Sequence, residues 1–187
     1  ATGVFYQLKM ALNDIWNIAV QPNANFWKIV TDRALSFAFI LVIGFLLLVS
    51  FIVTAAISAL NAYIKQVLPD VMIYVAYALD FTVSLAIISF LFALMFKFLP
   101  DAKIKWKTVW IGAILTAILF VIGKLLLGIY FGQANPGSFY GTAGIVVLIL
   151  LWVSYSSMIL FFGAEFTYIY SKTYGKGIEP TDIAVEK

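Results

Sequence analysis

Residues 145–163, IVVLILLWVSYSSMILFFG, carry no charge, and the run meets its first carboxylate only at Glu165. A helix needs about 20 mainly apolar residues to cross the hydrocarbon layer of a bilayer. This stretch therefore reads as a transmembrane span, entered through the small residues of Gly137-Ser138-Phe139-Tyr140-Gly141-Thr142-Ala143-Gly144. The rest of the chain repeats the pattern. Apolar runs predict four spans, at 34–60, 71–98, 108–131 and 141–170. All five prolines, Pro22, Pro69, Pro100, Pro136 and Pro180, fall between or beyond them, where the missing N–H does least harm to a helix. The first, second and fourth runs exceed bilayer thickness, which implies tilt or extension past the headgroups.

Composition agrees. Of 187 residues, 64% are apolar and 11% charged, and the mean hydropathy is +1.03, far outside the soluble globular range. The fold class is all-α, a polytopic transmembrane helix bundle in one membrane domain, without an internal repeat or a low-complexity linker. The net charge of +3 is the modest cationic excess of a membrane protein with basic cytoplasmic loops.

Ahead of the spans, residues 2–17 form an amphipathic helix. Val4, Phe5, Leu8, Ala11, Leu12, Ile15 and Trp16 recur at helical spacing opposite Gln7, Lys9, Asn13, Asp14 and Asn17. Two placements are open: in the membrane interface, or packed on the bundle as an ordinary surface helix. Gln21-Pro22-Asn23 ends it. The chain opens at Ala1 without a signal-peptide pattern, and Ala1 is not expected to be the native start.

Lysines and arginines set the orientation. Lys9, Lys28 and Arg33 precede the first span; the middle loop carries Lys103, Lys105 and Lys107, with Lys97 at its edge; Lys172, Lys176 and Lys187 lie in the tail, and the other two loops hold only Lys65. Ten of the eleven basic residues outside span cores thus share one side, which the positive-inside rule makes cytoplasmic. The amphipathic helix, middle loop and tail are expected there.

The chain has no cysteine and no histidine, which excludes disulfides, thiolate nucleophiles and imidazole or thiolate metal ligands. Asp14, Asp32, Asp70, Asp101, Glu179, Asp182 and Glu186 lie outside the spans, scattered over separate segments. Metal-assisted phosphodiester cleavage needs clustered ligands, so no metal site is predicted. Ser154, Ser156 and Ser157 have no base on their helix, and Gly141-Thr142-Ala143-Gly144 lacks the lysine and preceding strand of a phosphate loop. No catalytic residue and no cofactor is expected. Lys103, Lys105 and Lys107 around Trp106 could touch RNA backbone, but the positive-inside bias and contact with anionic lipid explain them better. Membrane lipids, and membrane or periplasmic proteins, are the expected partners.

Several blocks resemble the YihY/BrkB family of bacterial inner-membrane proteins, historically also labelled ribonuclease BN. They are Ala1-Thr2-Gly3-Val4-Phe5 with Leu8, Ala11-Leu12-Asn13 and Ile15-Trp16; Leu99-Pro100-Asp101 followed by Trp106; Gly112; Gly123-Lys124; Tyr140 to Gly144; Trp152; and Gly163-Ala164-Glu165-Phe166. The resemblance covers nearly the whole chain and implies a six-helix protein, with two spans ahead of the first block.

Ionisable residues within spans are costly and mark functional positions by default. Asp80, Lys124 and Glu165 are the three, each open to a purely structural role as an ion pair or anchor. Depth estimates bring Asp80 and Lys124 to one level, and Lys124 shares a face with Ala113, Ala117 and Gly128. A polar cavity in the outer half is expected, lined by Ser50, Thr54, Ser58, Asn61, Tyr77, Asp80, Ser84 and Lys124. Toward the cytoplasmic end, Glu165 is expected to face inward with Ser154, Ser157 and Phe161. There it would meet Arg33, Lys97 or Asn13 and, with Trp16, form a gate or brace. Gly112, Gly123, Gly128, Gly132, Gly141, Gly144 and Gly163 are read as helix-packing positions. Three function classes follow: a transporter or flippase-like protein, a scaffold or docking subunit, and an intramembrane enzyme, in that order.

Overall fold

The computed structural model describes residues 2–20, 30–31, 34, 37–38, 41–42, 44–45, 52, 55, 71–134, 136–175, 177–181 and 184–186. The first expected span lies mostly outside them. The described elements are α1 (Thr2–Ile15), β1 (Ile18–Val20), α2 (Val71–Phe98), β2 (Ala102–Lys103), α3 (Trp106–Ala134), α4 (Pro136–Tyr174), β3 (Glu179–Pro180) and β4 (Ala184–Glu186). Helices α2, α3 and α4 are each long and apolar enough to cross a membrane, and the protein is an all-α membrane bundle with two small strand pairs at one end.

Each helix ends where its sequence stops supporting it. Helix α2 gives way at Leu99-Pro100, the last turn closed by the Leu99 amide on the Met95 carbonyl, since Pro100 has no N–H to offer. Helix α4 spans 39 residues, about 58 Å at 1.5 Å per residue, which carries it well beyond the bilayer. Its Ser171 carbonyl accepts from the amides of both Gly175 and Gly177. Gly177 has φ of 82°, a conformation glycine adopts without a Cβ penalty, and there the chain turns back. The turn after α1 uses Asn17 at φ 55°, a left-handed position asparagine tolerates at a helix C-terminus.

Helix α3 lies between α2 and α4. The α3–α4 seam is built from two reciprocal pairs. Gly112 and Thr116 stand one turn apart on α3, and Gly163 and Thr167 one turn apart on α4. A Cβ at Gly112 would overlap the Thr167 hydroxyl, and a Cβ at Gly163 the Thr116 hydroxyl. Each threonine fills the space left by the opposing glycine and donates its hydroxyl to a carbonyl on its own helix: Thr116 to Gly112 at 2.7 Å, Thr167 to Gly163 at 2.6 Å. The hydroxyls are thus satisfied where no water reaches them. Farther along, Gly123 lies under the Tyr155 ring. Phe120 of α3 meets Phe92 of α2 and Trp152 of α4 edge to face, with centroids 5.8 and 5.4 Å apart.

The buried core gathers at the basic end. It joins Leu12, Trp16 and Ile18 to Phe92, Phe96, Leu99, Ile104, Val109, Leu160 and Ala164. Along the spans, large apolar side chains such as Ile118, Leu125, Leu126, Val147 and Leu150 are exposed, as expected of surfaces solvated by lipid rather than water.

Helix α1 packs against α4. Its buried face differs from the expected stripe: Val4 is exposed, while Asn13 is buried and Lys9 is largely enclosed, its side chain 13% accessible. The reason is chemical. Those two polar groups, one turn apart, meet a carboxylate.

Candidate functional site

That carboxylate is Asp101, in the turn after α2, itself 8% exposed. Its Oδ1 lies 3.1 Å from Lys9 Nζ, and its Oδ2 accepts from Asn13 Nδ2 at 3.0 Å. Its amide donates to Asn13 Oδ1 at 2.9 Å, so Asn13 reads both the side chain and the backbone. Its carbonyl accepts from the Thr181 amide at 3.0 Å and the Thr181 hydroxyl at 3.2 Å. Through one residue, the N-terminal helix, the turn between spans and the tail are tied together. A charge removed from water needs a counter-charge and hydrogen bonds, and here each carboxylate oxygen has a partner.

The strand pairs reinforce the junction. Strand β1 pairs antiparallel with β4, Ala19 opposite Val185; β2 pairs antiparallel with β3, Lys103 opposite Glu179. The tail therefore crosses both the segment after α1 and the turn after α2. Trp16 closes the arrangement from α1, its Nε1 donating to the Ala164 carbonyl of α4 at 3.0 Å, and Asn17 donates to the Tyr168 hydroxyl at 3.1 Å.

Beside the junction lies a cleft of about 330 Å³, lined by Lys97, Lys103, Lys105, Gly177 and Glu179 among others. Lys97 Nζ donates to the Ile104 carbonyl and stands 5.7 Å from the centre of the Trp106 ring, within reach of a cation–π interaction.

The expected gate is rearranged. The sequence reading gives Asn13 to Glu165; the structure gives it to Asp101. Glu165 is exposed, because the inward positions on that part of α4 belong to Leu160, Gly163, Ala164 and Thr167. Lys97 is engaged by Ile104 and Trp106, and Arg33 lies outside the described residues.

In the outer half, Ser50, Thr54, Ser58 and Asn61 fall outside the described residues. Tyr77 and Asp80 are on α2 with their side chains outside the described set, and Ser84 is half-buried. Lys124 is exposed although Ala113 and Ala117 on the same stripe are fully buried. At that level Gly123, under Tyr155, holds the inward position instead. Gly112, Gly123, Gly144 and Gly163 are buried, whereas a Cβ at Gly128 would meet nothing within 4 Å. Gly132 and Gly141 are helical, with their surroundings outside the described set.

Sequence reasoning missed Asp101 and Lys9. The signal was present in Lys9 and Asn13, four residues apart on one helix and flanked by Leu12 and Trp16. Asp101 itself stood in the Leu99-Pro100-Asp101 block without a role. Among the described residues no three His, Cys, Asp or Glu side chains gather to hold a metal ion.

The family model described as Virulence factor BrkB matches residues 1–183. Curated relatives are bacterial and carry the description UPF0761 membrane protein. One from Pseudomonas aeruginosa is 32% identical over 161 residues, 84% of this chain and 36% of its own length. One from Alteromonas mediterranea is 27% identical over 89% of the chain and 58% of its own length; one from Verminephrobacter eiseniae is 25% identical over 89% and 38%. The chain thus spans about two fifths to three fifths of the first relatives' length. No solved structure matches it.

Proposed function

This chain belongs to the virulence factor BrkB family of bacterial membrane proteins, and on that premise we propose that it is the core of a non-enzymatic transporter or flippase-like protein of the inner membrane. Its Asp101 end is the closed cytoplasmic gate, and its polar path opens from the opposite side. The observation that carries the reading is the contrast between the two ends. At one, a buried ionic hub joins three segments. At the other, Lys124 is exposed on the surface of a membrane-spanning helix, without a hydrogen bond or ion pair among the described residues. A lysine at that depth is costly in lipid and calls for water or an anionic partner, which a cavity completed by the rest of the protein supplies. A buried ion pair at the other end adds little net stability but suits a latch that opens as a unit.

The test uses the full-length protein in vesicles. This chain has no cysteine, so in full-length protein with any cysteine outside it replaced by serine, Lys124→Cys can be probed with a membrane-impermeant maleimide. The expected results are labelling from the outer side, and passage of a trapped organic anion or a fluorescent phospholipid above that of protein-free vesicles. A position sealed from the reagent, with no passage of either probe, overturns the reading in favour of a scaffold.

A further inference from the structure

The basic cleft is not part of the Asp101 lock, and its chemistry is that of an anion site at the membrane surface. Among the described residues, three ammonium groups, Lys97, Lys103 and Lys105, line it with one carboxylate, Glu179. Helix α3 begins at Trp106, immediately after Lys105, and its first turn carries no acidic residue. The positive dipole end of a 29-residue helix therefore stands next to Lys105 and has the same sign as the lysines. Lys97 is held in place by the Ile104 carbonyl and the Trp106 ring, so one cation of the cleft is already ordered.

What surrounds the cleft narrows the anion. It lies where α2 leaves and α3 enters the membrane. Beside it Phe98 and Trp106 pack edge to face at 6.0 Å, and both remain exposed, at 48% and 43%. Phe90 and Trp110 form a second exposed pair one to two turns deeper, 6.3 Å apart. Aromatic pairs at this level belong in the headgroup and upper acyl region, and basic pockets beside transmembrane helices take lipid phosphates.

We propose that this cleft binds the phosphate of an anionic phospholipid, with Lys103 and Lys105 holding the headgroup and the Phe98–Trp106 pair lying along its upper acyl chain. Since the tail contributes Gly177 and Glu179 to the same cleft, a bound lipid braces the β2–β3 contact. The site does not depend on whether the protein transports anything.

Native mass spectrometry on the detergent-solubilised full-length protein tests this with three probes: dioctanoyl phosphatidylglycerol, dioctanoyl phosphatidylcholine and glycerol 3-phosphate. The parent is expected to retain phosphatidylglycerol over phosphatidylcholine, and glycerol 3-phosphate far more weakly. Lys103→Gln and Lys105→Gln should each weaken phosphatidylglycerol binding about fivefold, from roughly 1 kcal/mol per basic residue near a membrane surface. Lys107→Gln, which removes an equal charge from the same segment outside the cleft, should leave it unchanged. The Lys103→Arg/Lys105→Arg variant should bind like the parent, separating loss of charge from loss of fold. Equal binding of phosphatidylcholine, or an equal loss in Lys107→Gln, overturns the site. Glycerol 3-phosphate binding as tightly as the lipid overturns the lipid assignment in favour of a soluble phosphate.

Discussion

The Lys9 ammonium and the Asp101 carboxylate lie 3.1 Å apart, joining the first helix to a turn 92 residues later in the chain. Removing one partner takes this contact from a largely enclosed charge. Asp101→Ala should destabilise the full-length protein by about 3 kcal/mol or more, and the Lys9→Met/Asp101→Asn double substitution by clearly less than the sum of its singles. Thermal unfolding in detergent reads both; strict additivity would show that the pair is not coupled.

The α3–α4 seam tolerates no added methyl at its glycines. Gly163→Ala drives a Cβ into Thr116, and overpacking of this kind costs about 1–3 kcal/mol. Combining it with Thr116→Gly reopens the space, and stability should recover most of the loss, since the helix propensity gained at residue 163 offsets that lost at residue 116. If the double variant is less stable than Gly163→Ala alone, the seam is held by something other than this fit.

Trp16 combines a buried ring with a single polar contact, and its two roles can be separated. Trp16→Phe keeps most of the ring but removes the donor to the Ala164 carbonyl, for an expected loss of about 1 kcal/mol. Trp16→Ala also empties the site, for about 3–5 kcal/mol. Equal losses in the two variants would assign the whole effect to the hydrogen bond.

Deleting residues 176–187 removes β3 and β4 together with both Thr181 bonds to Asp101. Hydrogen exchange should accelerate at the amides of residues 18–20 and 102–103, which lose their strand partners. The Gly112–Thr167 region of the seam should keep its protection. Faster exchange throughout α3 and α4 would mean that the tail supports the whole bundle rather than the junction alone.

The long helices were legible because each is specified locally. A run of apolar residues closed by proline or glycine carries its own length and limits, and α2 occupies the expected 71–98 without change. The other two run farther than hydropathy suggested, α3 to Trp106–Ala134 and α4 to Pro136–Tyr174, since backbone hydrogen bonding continues until a residue breaks it, wherever the apolar stretch stops. Charge bias likewise placed the N-terminal helix, middle loop and tail on one side, and the hub and two strand pairs join them at one end.

Which polar residues meet was decided elsewhere. Lys9 and Asn13, Asp101, and Thr181 are polar residues on three separated segments, and nothing local distinguishes Asp101 from Asp14 or Glu165 as the carboxylate to be enclosed. That choice depends on where α1 crosses the bundle, which is fixed by Trp16 against Ala164 and by the tail pairing with both neighbouring segments. The position of Lys124 follows the same rule: its helix stripe predicts an inward side chain, but the ring of Tyr155 lies over Gly123 and sets the rotation of α3 at that level. Sequence alone determined that this chain is a membrane helix bundle with one basic end, because hydrophobicity and helix termination act over neighbouring residues. Tertiary structure alone decided that the basic end is locked through Asp101, because an ion pair is specified by the convergence of segments distant in the chain.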